Sequence, residues 1–152
     1  MKNIILIFFL LFLYSCGYTS VYKNQKSQDF QINIIEMTGD IEINNLIKNE
    51  LKFYSNRNSN NKYDISINSE YQKIIISKNS AGVATEYKIL VDTKISINLN
   101  NKNNILNFSE NINIKSNSNS FEQNNYERNI KKNFASSIKN KFIIKIFNLD
   151  DN

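Results

Sequence analysis

Hydrophobic positions in this chain recur with two different periods, and the switches between them divide it into elements. Phe30, Ile32 and Ile34 alternate with Gln31 and Asn33, the two-residue period of a strand with one buried face. Thr38-Gly39-Asp40 interrupts the pattern, and Asp40 or Thr38 supplies a side-chain oxygen to cap the orphan backbone N–H groups of a helix. Ile43, Leu46, Ile47, Glu50, Leu51 and Tyr54 follow at 3.6-residue spacing, which predicts a helix over 41–54 and a loop over 55–61. Alternation returns at Tyr63, Ile65, Ile67 and Tyr71. It slips near Gln72-Lys73, where a bulge is expected, and Ile74-Ile75-Ile76 is apolar on both faces.

Beyond a turn over 78–82 comes a long alternating run. Thr85, Tyr87, Ile89, Val91, Thr93, Ile95, Ile97 and Leu99 share one side, while Glu86, Lys88, Asp92, Lys94, Ser96 and Asn98 share the other, with Leu90 the exception. Such a strand extends about 50 Å at about 3.4 Å per residue, long for a small domain. A turn over 100–103 leads to a fourth strand marked by Leu106, Phe108, Ile112 and Ile114, with Glu110 as a polar interruption. From Asn119 the period is helical again. Asn119 with Glu122, or Ser120 with Gln123, offers a capping box, and Tyr126, Ile130, Phe134, Ile138, Phe142 and Ile146 recur every fourth residue. That spacing drifts slowly around a helix and suits one laid across a twisted sheet. The predicted order is β-α-β-β-β-α. It gives an α+β two-layer sandwich whose four-stranded, mostly antiparallel sheet is covered on one face by two helices and polar on the other.

The start of the chain changes the picture. Met1-Lys2 precedes an apolar run from Ile4 to Leu13, too short for an ordinary spanning helix, and Ser15-Cys16-Gly17 follows. This is the layout of a bacterial lipoprotein signal, with cleavage before Cys16 and acylation of that residue. A plain secretory signal ending near a cysteine is the alternative. The division expected is a signal peptide over 1–15, a lipidated N-terminus and tether over 16–28, and one α+β domain over 29–152. Acylation also disposes of the only cysteine, which would otherwise be an unpaired thiol in an oxidising compartment. More than one acyl chain gives stable anchoring. With no aspartate directly after Cys16, the usual sorting rule favours the outer membrane, on its periplasmic side.

Composition narrows the chemistry. The 152 residues include no His, so imidazole catalysis and His-containing metal sites are excluded. Three glycines form no phosphate loop, no metal-ligand cluster is visible, and Asp64, Glu70, Glu86, Asp92 and Glu110 read as a solvated strand face. No enzyme activity and no cofactor are expected. The net charge of +5 suits contact with an acidic surface, and nucleic acid is not expected in that compartment. Around the second hairpin lie Lys73, Lys78, Lys88 and Lys94. They are either a solvated basic surface or contacts to anionic lipid phosphate, for which lysine supplies a compact mobile charge.

Cys16-Gly17-Tyr18-Thr19-Ser20-Val21-Tyr22 resembles the start of the mature lipopolysaccharide-assembly lipoproteins of the LptE family, in its alphaproteobacterial form. Ser20 stands near the place where that family usually has proline. Residues 80–89, Ser-Ala-Gly-Val-Ala-Thr-Glu-Tyr-Lys-Ile, are similar to the family's central hairpin, with Glu86 where a basic residue is common. Tyr126-Glu127-Arg128 through Ala135 and Ile138 is similar to its last helix. The resemblance implies two helices on a four-stranded sheet, and a lipid anchor in the inner leaflet of the outer membrane. It also implies a plug-like partnership with the β-barrel LptD, whose assembly it aids, in lipopolysaccharide export. It implies lipopolysaccharide binding as well, for which the hairpin residues Lys73, Lys78 and Lys88 are the candidates. Two other readings stay open: a structural envelope lipoprotein with a different partner, and a periplasmic module that binds amphiphiles between sheet and helices.

Overall fold

The computed structural model describes residues 30–99 and 102–150. The expected signal over 1–15, the tether over 16–28 and Cys16 lie outside the described residues. The elements are β1 (Phe30–Gly39), α1 (Ile41–Ser55), β2 (Asn61–Lys78), β3 (Ala84–Leu99), β4 (Lys102–Lys115) and α2 (Ser120–Asp150). They form one open sheet in the order β1-β2-β3-β4, so the predicted two-layer α+β sandwich and its β-α-β-β-β-α order hold. β1 and β2 are parallel because α1 carries the chain back to the starting end, whereas β2, β3 and β4 are joined by tight reversals and run antiparallel.

The core lies between the sheet and the two helices. Phe30 and Ile32 of β1, Tyr63, Ile65 and Ile67 of β2, and Ile89, Val91, Ile95 and Ile97 of β3 are all buried on this side. Ile43, Ile47 and Leu51 of α1 meet them, as do Ile130, Phe134, Ile138, Phe142 and Ile146 of α2. The four-residue spacing read from α2 therefore marks its buried stripe, except at its first member, Tyr126, which is exposed. Aromatic rings close the end where β1 begins: Phe30 stacks on Tyr54 and meets Tyr63 and Phe147 edge-on. Burying rings of this size is worth roughly 1.5–3 kcal/mol each.

Polar groups set the element ends. The Asp40 carboxylate accepts from the Ile43 N–H at 2.8 Å and caps α1. Asn119 caps α2, its Oδ1 accepting from the Phe121 and Glu122 N–H groups. The reciprocal half of the expected capping box differs, because Glu122 accepts from the Asn117 side chain. At the hairpin tip, Asn79 Oδ1 accepts from the N–H groups of Ala81 and Val83, and Gly82 takes a φ of +80°.

Three local expectations are corrected. The β2–β3 pairing is regular through Gln72 and Lys73, and the register shifts come later, at Ile75/Ser77 and Ser77/Lys78. Alternation alone misplaced the slip because Ile74, Ile75 and Ile76 are all apolar while all are exposed. β1 is longer than its alternating run, since a bulge between Ile34 and Glu36 lets it continue to Gly39. Glu110 does not face water with the other strand carboxylates. It opposes Val91 on the helix side and accepts from Ser137 at 2.7 Å and Lys141 at 2.5 Å.

Candidate functional site

The feature that departs from a plain sandwich is the β2–β3 hairpin. β1 stops pairing at Gly39 opposite Ser69, yet β2 continues to Lys78. The outer part of the hairpin therefore projects past β1 and α1, and among the described residues only β4 flanks it as a strand. Its end is apolar at the surface: Ile74, Ile75, Ile76 and Val83 are between 44% and 61% exposed. Isoleucine and valine favour strands, so the outer hairpin forms for local reasons although little packs upon it.

The three lysines expected to bind lipid phosphate are not one patch. Lys73 opposes Ile89 and lies on the helix side, where its amine meets the Glu127 carboxylate at 2.5 Å and stands 4.2 Å from the Tyr87 ring centre. Lys88 opposes Ile74 and Asn113 on the other face of the sheet. Lys78 is exposed at the end of β2, opposite Ala84. Lys73 and Lys88 thus point to opposite sides of the same hairpin.

Around Lys73 the charges are organised. Burial pushes the Glu127 carboxyl up, but hydrogen bonds from Lys73 and Gln123 and the charges of Lys73 and Lys131 outweigh this, leaving it below the ordinary carboxylate value. Lys131 in turn pairs with Glu42 of α1 and lies 4.1 Å from the Tyr71 ring centre. Burial, and then the negative charges of Glu127, Glu42 and Asp40, push the Tyr71 hydroxyl up to about 12. This network ties the base of the projecting hairpin to both helices. Sequence reading missed it because no local pattern links Lys73 to Glu127 or Glu42 to Lys131. Glu110 was detectable, since it shares the strand phase of Leu106, Phe108 and Ile112.

The helix-free face of the sheet is polar, as expected. Asp64, Ser66, Asn68 and Glu70 of β2 oppose Asn98, Ser96, Lys94 and Asp92 of β3. Glu70 stands directly across from Asp92, a like-charge pair of the kind that disfavours strand pairing. A shallow hollow of about 400 Å³ lies over this pair, lined also by Asn68, Lys94, Asn107 and Ser109. The opposite layer leaves little room for an amphiphile, because Phe30, Ile65, Ile95, Ile138 and Phe142 fill the space between sheet and helices. Among the described residues no group of acidic or thiol side chains is arranged to hold a metal, and no helix is long and apolar enough to cross a membrane.

No protein-family model matches this chain, and no curated protein sequence does. Among solved structures it is similar to rare lipoprotein B from Shewanella oneidensis, with a TM-score of 0.56 at 13% identity over 78% of this chain and 99% of that one. It is also similar to a Caulobacter crescentus protein assigned as a lipoprotein, with a TM-score of 0.53 at 10% identity over 75% and 85% of the two chains. At such identities the likeness establishes a shared fold. The β-α sandwich described above is one that bacterial lipoproteins adopt.

Proposed function

We propose that this chain is a lipid-anchored outer-membrane protein of the LptE type, which plugs an LptD-like β-barrel, helps it assemble and so serves lipopolysaccharide export. The role is steric and adhesive, and no bond is made or broken. The observation that carries the reading is the projecting β2–β3 hairpin beside a polar sheet face that no described helix covers, on a fold shared with rare lipoprotein B. A polar wall suits the water-lined interior of a large barrel, where an apolar one would not. The apolar start ending at Cys16 supports acylation and a place on the periplasmic side of the outer membrane. Lys78 and Lys88 supply charge to lipopolysaccharide phosphates from the hairpin. Lys73 adds to the same positive field, although its amine is already engaged by Glu127.

Affinity purification of the tagged full-length protein from its own envelope tests this. A β-barrel is expected to co-purify in equimolar amount, and depletion of the chain should leave that barrel misassembled. Cys16→Ser should yield an uncleaved precursor that takes up no labelled acyl chain. Recovery with peptidoglycan or a different assembly machine, or a native mass spectrum with a bound single-chain amphiphile and no barrel, would favour the other two roles.

A further inference from the structure

Past Ser69, one side of β2 has no neighbouring strand among the described residues. The Asp40 N–H donates to the Ser69 carbonyl at 2.7 Å, so Ser69 turns its backbone groups toward that side. The direction alternates along a strand paired as regularly as this one is from Asp64 to Ile75. Tyr71, Lys73 and Ile75 therefore present N–H and C=O groups to the open side, while Glu70, Gln72 and Ile74 spend theirs on β3. The same stretch bears Ile74, Ile75 and Ile76, each nearly half exposed. Natural edges are usually blunted by charge, proline or a bulge. Here the bulge comes only after Ile75, and the one charge in the middle, Lys73, is drawn toward Glu127 on the helix side.

We propose that this edge receives a strand: an extended segment of about six residues from a partner polypeptide, added alongside 71–75 by β-augmentation. The backbone row defines the occupant, because donors and acceptors that repeat every second residue are matched by another peptide and not by a lipid or a glycan. Charge defines its ends. Asp40 and Glu70 make one end of the edge acidic, Glu42 there being already paired with Lys131, and Lys78 makes the other basic. The complementary segment carries a basic residue beside the Asp40 corner, β-branched residues in the middle and an acidic residue toward Lys78. A second copy of this chain fits less well. Antiparallel self-pairing about Ile74 would set Lys78 against Glu70, but it would drive the turn over 79–82 into the corner where β1 ends and α1 begins. The inference holds for any protein partner and does not rest on the barrel reading.

The probe is the terminally blocked hexapeptide Glu-Val-Thr-Val-Thr-Lys at millimolar concentration, added to the purified full chain in detergent. Saturable binding is expected, with slowed amide exchange at Tyr71, Lys73 and Ile75. The same peptide with alternate amides N-methylated should bind at least tenfold more weakly to the unaltered protein. Ile75→Pro removes an outward N–H and leaves the β3 ladder intact, and should weaken the unmodified peptide by a similar factor. No saturable binding, protection elsewhere in the chain, or indifference to N-methylation would overturn the proposal. So would a dimer in light scattering that Ile75→Pro dissolves, since the occupant would then be a second copy.

Discussion

Lys73 and Glu127 lie 54 positions apart in the chain and meet at 2.5 Å, joining the projecting hairpin to the second turn of α2. Tyr87 beneath the lysine and Gln123 beside the carboxylate complete the joint. With the Lys131–Tyr71 contact beside it, this pair fixes the hairpin against the helical layer.

Glu127→Gln should lower stability by about 1 kcal/mol, since the pair is partly shielded from water rather than fully exposed. The Glu127 carboxyl is held below its ordinary value of 4.5 in the folded protein. Its contribution is therefore fully present above the unfolded value and fades as pH falls through the folded one. Urea unfolding of both proteins at neutral pH and at pH 3 checks this, with the difference between them narrowing on acidification.

The Tyr71 hydroxyl should titrate late, at about 12. Because the fold raises this hydroxyl above the ordinary 10.0, the unfolded chain gives up its proton first, and stability falls as pH rises from that value. Ultraviolet titration of tyrosinate should show a late step that Tyr71→Phe removes.

Gly39 and Gly82 both have positive φ, at +84° and +80°, but only Gly39 is crowded. A Cβ at Gly39 would fall 2.1 Å from the Ser69 carbonyl oxygen, whereas one at Gly82 meets nothing within 4 Å. Gly82→Ala should cost about 1–2 kcal/mol from backbone strain alone. Gly39→Ala adds a clash with a fixed backbone atom and should cost more than about 3 kcal/mol, read by the shift in denaturant midpoint.

Charge reversal at Lys78 and Lys88 should weaken lipopolysaccharide binding without lowering the melting temperature, because neither forms an ion pair among the described residues. Lys73→Glu should lower the melting temperature as well, through repulsion from Glu127. Binding by isothermal calorimetry beside thermal melts separates the two effects. Unchanged binding in the Lys78/Lys88 double variant would remove these residues from the proposed site.

Much of the fold was legible before any coordinates. The two-residue alternation of β2 and β3, the 3.6-residue face of α1 and the four-residue stripe of α2 are local patterns. Each reports which side of its own element is buried. Asp40 and Asn119 were readable as caps because a cap acts within a few residues of the helix it starts. The site was less legible. Lys73, Lys78 and Lys88 looked like neighbours because they follow one another near a turn, but neighbours along a strand alternate between faces, and Lys73 and Lys88 are on opposite ones.

By itself the sequence determined the elements, their order, the inward stripe of each and the lipoprotein-like start, since all of these rest on interactions between residues close along the chain. Tertiary structure decided the rest. That β1 lies parallel to β2 and ends at Gly39 opposite Ser69, that Glu110 and Glu127 turn to meet Lys141 and Lys73, and that the outer edge of β2 has no partner strand among the described residues follow from pairings between distant segments. Such pairings are settled by the register and packing of whole layers, to which no window of neighbouring residues has access.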